Sequence, residues 1–142
     1  MGIKKFGGVI SRDQVGDIKD TSKGSSYIIN LDDSFGGGTH WVSIFFGDNH
    51  IYYFDSFGIT PPEDVVKLSE KIGKEFCYSS EQYQDFNSVL CGYYGMYFIN
   101  EMSKSDERKI GGQEAFQRLI NVFDPIKHKN NGKFIIKYFK EI

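Results

Sequence analysis

The chain of 142 residues is poor in the features that mark several protein classes: it has 2 cysteines, 3 prolines and 1 tryptophan. Cys77 and Cys91 are too few for a disulfide scaffold and read as reduced thiols, with a single bridge left open. No charge sign dominates, because 17 Lys and Arg stand against 19 Asp and Glu, for a net charge of −2. Electrostatically driven nucleic-acid binding needs a clear basic excess, so no specific nucleic acid is expected as a partner. The apolar runs are short and interrupted, so none reads as a membrane span. The opening MGIKKFGGVISRDQ has no apolar signal-peptide region and lacks the hydroxyl residue that myristoylation requires, so the protein is expected not to be secreted. His50 and His128 are scattered and show no metal-ligand spacing, so no metal is expected and the sequence requires no cofactor. Gly36-Gly37-Gly38 is not followed by the lysine and helix of a phosphate-binding loop.

What is abundant is aromatic. Phe, Tyr and Trp make up 16% of the chain and hydrophobic residues 39%, which favours a packed core over disorder. The length fits one domain over residues 1–142, and no internal repeat interrupts it.

Strands are expected at 7–11 and 27–31, with polar loop chemistry at 16–26 and turn chemistry at 32–39. Residues 41–46 (WVSIFF) and 51–55 (IYYFD) flank Gly47-Asp48-Asn49-His50 and read as a β-hairpin. Thr60-Pro61-Pro62-Glu63 reads as a capping box that opens a helix running to about Gly73. Residues 74–78 suggest another strand. Residues 89–103 read as a helix because Leu90, Tyr94, Phe98 and Met102 recur at helical spacing, with Gly92 and Gly95 explained by close packing. A further helix is expected at 112–123, and a helix or strand at 133–142. Strands and helices mix without strict alternation, which makes the fold class α+β.

Four residues carry potential chemistry. A thiol attacks a carbonyl well only as thiolate, and therefore needs a base and a polarised setting. His40 precedes a predicted strand and can stand at its end. Asp55 ends the partner strand of the hairpin, and strands about 4.8 Å apart let a carboxylate there orient the imidazole. Ser88 reads as a helix N-cap, which makes Cys91 the third helical residue, where the helix dipole favours a negative sulfur. Gln84 can offer an amide N–H to a developing oxyanion beside the Cys91 backbone N–H. Taken singly, each has a plainer reading: a buried structural thiol, a strand-end histidine, a turn aspartate, a solvated glutamine.

The ordered set is more specific. Gly37-Gly38-Thr39-His40-Trp41, then Phe54-Asp55-Ser56-Phe57-Gly58, then Gln84, Asn87-Ser88 and Cys91-Gly92 resemble the motifs of adenovirus-type maturation cysteine proteases. The likeness is greatest to the versions in virophages and Polinton (Maverick) elements, and it spans roughly residues 6–100. It implies the α+β fold shared with proteases of ubiquitin-like modifiers, a mixed central sheet packed on the helix that carries the nucleophile. It also implies roles: Cys91 as nucleophile, His40 as general base, Asp55 as orienting acid, Gln84 as oxyanion donor, and Trp41 as an aromatic beside the histidine that borders the substrate slot. Trp41 also reads as an ordinary core tryptophan.

Further expectations follow from the resemblance. Substrates would be polypeptides, capsid or core precursors cut at Gly-Gly-x sites, with the protein in the host cytoplasm or nucleus and in the virion, as a monomer. A peptide cofactor is conceivable, but the spacing of Cys77 to the nucleophile does not match the family's cofactor-bonding cysteine. Gly7-Gly8 is a candidate self-cleavage site, with an ordinary strand-entry pair as the plainer reading. The same catalytic set would serve a deconjugase of ubiquitin-like modifiers, and a catalytically idle capsid-binding domain is the remaining alternative.

Overall fold

A computed structural model describes residues 5–31, 40–85 and 88–141. Five strands form one mixed sheet in the order β1-β2-β3-β4-β5. They are β1 (Phe6–Ser11), β2 (Ser26–Asn30), β3 (Trp41–Phe46), β4 (His50–Phe54) and β5 (Glu75–Tyr78). The central pairs β2/β3 and β3/β4 are antiparallel, whereas the outer pairs β1/β2 and β4/β5 are parallel. Among the described residues four α-helices complete the fold: α1 (Glu63–Ile72), α2 (Cys91–Glu107), α3 (Gly112–Ile120) and α4 (His128–Glu141). The fold class is α+β, with the central mixed sheet packed against the helix that begins at Cys91.

The aromatic runs of β3 and β4 lack polar alternation because both sheet faces are covered. Val42, Ile44, Phe46, Ile51 and Tyr53 point to the face covered by Val65 and Leu68 of α1 and by Val15. Phe45, Tyr52 and Phe54 point to the other face. There they meet Tyr94, Phe98 and Met102 of α2, Phe116 and Leu119 of α3, and Ile135 of α4. Burying such side chains contributes about 1.5–3 kcal/mol each relative to exposure, which makes this two-sided core the main driving force.

Helix α2 lies close to the sheet at one point. A Cβ on Gly95 would stand 3.3 Å from Ile28 Cδ1 and 3.6 Å from the Ser43 side chain. Close packing therefore explains Gly95 but not Gly92, where a Cβ would meet nothing within 4 Å.

Several boundaries differ from the sequence-based expectation. Thr60 does not cap α1: Pro62 holds the N-cap position in extended conformation and no side chain caps the helix. Pro61 and Pro62 each push the preceding residue out of helical conformation, so the helix starts beyond them. Arg12–Asp17 is a 3-10 helix closed by a capping box between Ser11 and Gln14, in a stretch that showed no apolar period. Helix α3 ends at Ile120 rather than 123, although Phe123 is buried in the core beyond it. The last element is a helix that begins at His128. Its opening Asn130-Asn131-Gly132 is poor in helix formers, which hid its first turn. The Gly7-Gly8 pair lies within β1, where a Cβ on Gly7 would collide with the Tyr27 ring. The turn expected at 32–39 lies outside the described residues, as do Asn87 and Gly36-Gly37-Gly38.

Asn131 is 3% exposed and ties α4 to two loops. Its Nδ2 donates to the carbonyls of Tyr83 at 2.9 Å and Asp124 at 2.7 Å, and its Oδ1 accepts from the Asp124 N–H at 2.9 Å. Removing a buried hub leaves its partners unsatisfied. Asn131→Ala should therefore lower the unfolding free energy by about 2 kcal/mol in urea denaturation. A loss below about 0.5 kcal/mol would show that the hub is not needed to hold these loops.

Candidate active site

The antiparallel hairpin brings His40 and Asp55 together. His40 directly precedes β3 and Asp55 directly follows β4, so the two sit at the same end of neighbouring strands. The His40 carbonyl accepts the Leu31 N–H at 2.9 Å, which prolongs the β2/β3 ladder and fixes the histidine backbone. His40 Nε2–H donates to Asp55 Oδ1 at 2.9 Å, and the same oxygen accepts the Phe57 N–H at 2.8 Å. The Asp55 side chain is fully buried and that of His40 is 14% exposed.

The other imidazole nitrogen, Nδ1, is buried and makes no conventional hydrogen bond. Its neighbour is the Cys91 thiol, close enough for each group to shift the protonation of the other. Burial pulls the imidazole down, but hydrogen bonding to Asp55 and then to Cys91 outweighs it and pushes His40 up to about 9. Burial likewise raises the Cys91 thiol, but hydrogen bonding to His40 and to the N–H groups of Trp41 and Gly92 outweighs it and holds the thiol below its ordinary value. Opposite shifts on adjacent groups favour a thiolate–imidazolium pair.

Cys91 is the first residue of α2, not the third. Ser88 does not cap the helix: its Oγ accepts the Leu90 N–H at 3.2 Å in a local turn, and Leu90 takes the N-cap position. Ser88 satisfies an N–H of the approach instead of one inside the helix. The sulfur still lies at the positive end of a 17-residue helix.

Gln84 is 1% exposed, not solvated. Its Oε1 accepts from the buried Ser56 hydroxyl and its Nε2 donates to the Ser88 carbonyl at 3.1 Å. The two contacts fix which end of the amide is the donor and leave a second Nε2–H without a partner among the described residues. Ser56 also holds the Gln84 segment through its backbone, since its carbonyl accepts the N–H groups of Tyr83 at 2.8 Å and Gln84 at 3.0 Å. The turn that makes this possible needs Gly58. Its φ is +75°, and a Cβ there would stand 2.6 Å from the Glu81 carbonyl oxygen.

All four chemistry-bearing residues thus lie around the open end of β3 and β4. Trp41 is half-buried, and its ring packs against the α2-side core while its backbone N–H faces the sulfur. Ser56 and Asn131 were missed as supports. Ser56 lies inside the Asp-Ser-Phe-Gly motif, whereas nothing near Asn131 in the sequence signals a role.

No protein-family model matches this sequence, and no curated protein matches it either. Two crystal structures of the ASFV pS273R protease resemble the fold. The first aligns with a TM-score of 0.49 at 19% identity, over 78% of this chain and 41% of that one. The selenomethionine form aligns with a TM-score of 0.42 at 22% identity, over 70% and 44%. The chain spans less than half the length of those proteins, so what it can do is read from its own side chains.

Cys77, the other thiol, lies on β5 against the α2-side core, and burial raises it above its ordinary value. Among the described residues no group of His, Cys, Asp and Glu side chains is placed to hold a metal ion. A groove of about 700 Å³ opens at the opposite end of the hairpin, near His50, Tyr52 and Gly112. Its Lys23 is paired with Asp48 and Asp106, and its Glu114 with Arg118, so its charges are largely compensated internally.

The two thiols should differ in reactivity. Iodoacetamide at neutral pH should label Cys91 well before Cys77, as read by mass spectrometry. Asp55→Asn should slow the Cys91 reaction, because His40 loses the partner that keeps it protonated. Equal rates for both cysteines would remove the ion pair from this site.

Proposed function

We propose that the protein is a cysteine endopeptidase. The observation that carries this reading is the placement of His40, with Nε2 on the Asp55 carboxylate and Nδ1 left for a thiol at a helix N-terminus. That arrangement matches the needs of acyl transfer. The Cys91 thiolate attacks the scissile carbonyl and forms a tetrahedral oxyanion. The second Nε2–H of Gln84 and the Cys91 backbone N–H are the candidate oxyanion donors, each typically contributing about 3–4 kcal/mol. The His40 imidazolium protonates the leaving amine as the C–N bond breaks, which leaves a thioester on Cys91. Water, deprotonated by His40, then hydrolyses the thioester and regenerates the thiol.

The ordered motifs support the finer reading of an adenovirus-type maturation protease acting on capsid or core precursors at Gly-Gly-x sites. Trp41 is proposed to border the substrate slot, where only glycine lets a chain pass closely under a ring. The chemistry uses no metal or organic cofactor. The proposed setting is the infected cell and the virion, with the protein acting as a monomer.

A Gly-Gly-x peptide panel, read by mass spectrometry, tests the reading, with a Gly-Gly-tailed ubiquitin-like modifier conjugate as a separate arm. The parent protein should cleave peptides and Cys91→Ala should not; cleavage by both proteins would overturn the reading. Asp55→Asn should lower kcat by about a thousand-fold or more while the fold persists. The rate should fall on the acid side as Cys91 takes a proton. On the alkaline side it should fall as His40 loses its proton near pH 9.

A further inference from the structure

The Phe57 ring lies flat against the His40 imidazole. Their centroids are 4.3 Å apart and the planes differ by 16°. The same residue donates its backbone N–H to Asp55 Oδ1, the oxygen that accepts from His40. Phe57 therefore touches the acid through its backbone and the base through its side chain, and it is only half-buried, so its ring is not a deep core element. Ordinary packing would explain an aromatic residue here, but not a parallel face-on stack over an imidazole whose Nε2 is already held on Asp55.

We infer that Phe57 is a positioning residue for the proposed reaction. Its ring face holds the His40 imidazole in the plane that aims Nε2 at Asp55 and Nδ1 at Cys91, and it favours the protonated form. Two physical effects combine. The stack blocks rotation of the ring about its Cβ–Cγ bond, so fewer orientations compete with the productive one. The negative face of the benzene ring also attracts a cation in a partly desolvated site, which stabilises imidazolium over imidazole. Among the described residues, the titratable groups that face His40 are Asp55, from the end of β4, and Cys91, from the start of α2. Phe57 adds to their effect without contributing a charge of its own. The inference rests on the peptidase reading for its kinetics but not for the state of His40.

The test compares Phe57→Leu, which keeps apolar bulk and removes the ring face, with Phe57→Tyr, which keeps the face. NMR of histidine-labelled protein follows three imidazoles, His40, His50 and His128, assigned by substitution. In Phe57→Leu the His40 titration midpoint should fall toward neutrality while His50 and His128 stay in place. In Phe57→Tyr the His40 midpoint should match the parent. On a cleaved peptide, kcat of Phe57→Leu should drop about ten-fold with KM nearly unchanged, and the alkaline limb of the pH profile should move to lower pH. Phe57→Tyr should restore both. An unchanged His40 midpoint in a folded Phe57→Leu protein would overturn the inference. So would a loss confined to KM, which would make Phe57 a substrate contact. If the parent cleaves no peptide, the peptidase reading falls, and the His40 titration still decides the role of Phe57. Should Phe57→Leu fail to fold, Phe57→Met supplies the same comparison.

Discussion

The antiparallel register of β3 and β4 is the constraint on which the site depends. Ser43 pairs with Phe54 and Ile44 with Tyr53, so the residues just before β3 and just after β4 emerge at one end of the sheet. His40 and Asp55 are 15 residues apart in sequence yet within hydrogen-bond distance there. A slip by one residue would turn every side chain of one strand to the other face. That slip would cost both cores at once, because β3 and β4 bury apolar side chains on each side. The energy that holds the register is hydrophobic and lies along the strands, while the polar site at their ends uses the resulting geometry.

A second constraint is the way one short turn serves both His40 and Gln84. Asp55 engages the imidazole, Ser56 engages the Gln84 amide with its hydroxyl and the Gln84 backbone with its carbonyl, and Phe57 stacks on the imidazole. Buried polar groups are costly unless paired, and Asp55 Oδ1 and the Ser56 hydroxyl and carbonyl are all paired within the site. The exception is Asp55 Oδ2, which is buried and has no hydrogen bond among the described residues. The Gln84 segment is also held from behind, by Asn131 on α4. The Gln84 amide is thus pinned by elements from both ends of the fold.

The electrostatics follow from that burial. Taken alone, desolvation would drive Cys91 and His40 toward their neutral forms. Mutual hydrogen bonding, Asp55 and the backbone N–H groups of Trp41 and Gly92 reverse both tendencies. Cys77 shows the contrast. It too is partly buried but has no such partners, and its thiol is shifted the opposite way from that of Cys91. The difference between the raised thiol and the lowered one is the company each keeps, not how deeply it is buried.

Much of the fold was legible along the chain, because local pattern and local burial agree there. Five strands and three of the four helices followed from apolar runs, helical periodicity and turn residues. His40, Asp55, Gln84 and Cys91 could be named from residue type and order alone. Helix starts were less legible. The two prolines displaced the start of α1, Ser88 turned to a local bond, and Asn130-Asn131-Gly132 masked the first turn of α4. Each depends on which competing partner a backbone N–H finds, and residue type does not decide that. Residue type and order along the chain were enough to name the four candidate residues and the hairpin that two of them flank, since both are written in local composition. Only the tertiary structure decided that Gln84 is buried rather than solvated, that Ser56 and Asn131 support it, and that Phe57 lies on the imidazole. Those contacts join segments far apart in sequence, and they exist only once the sheet has set the distances between them.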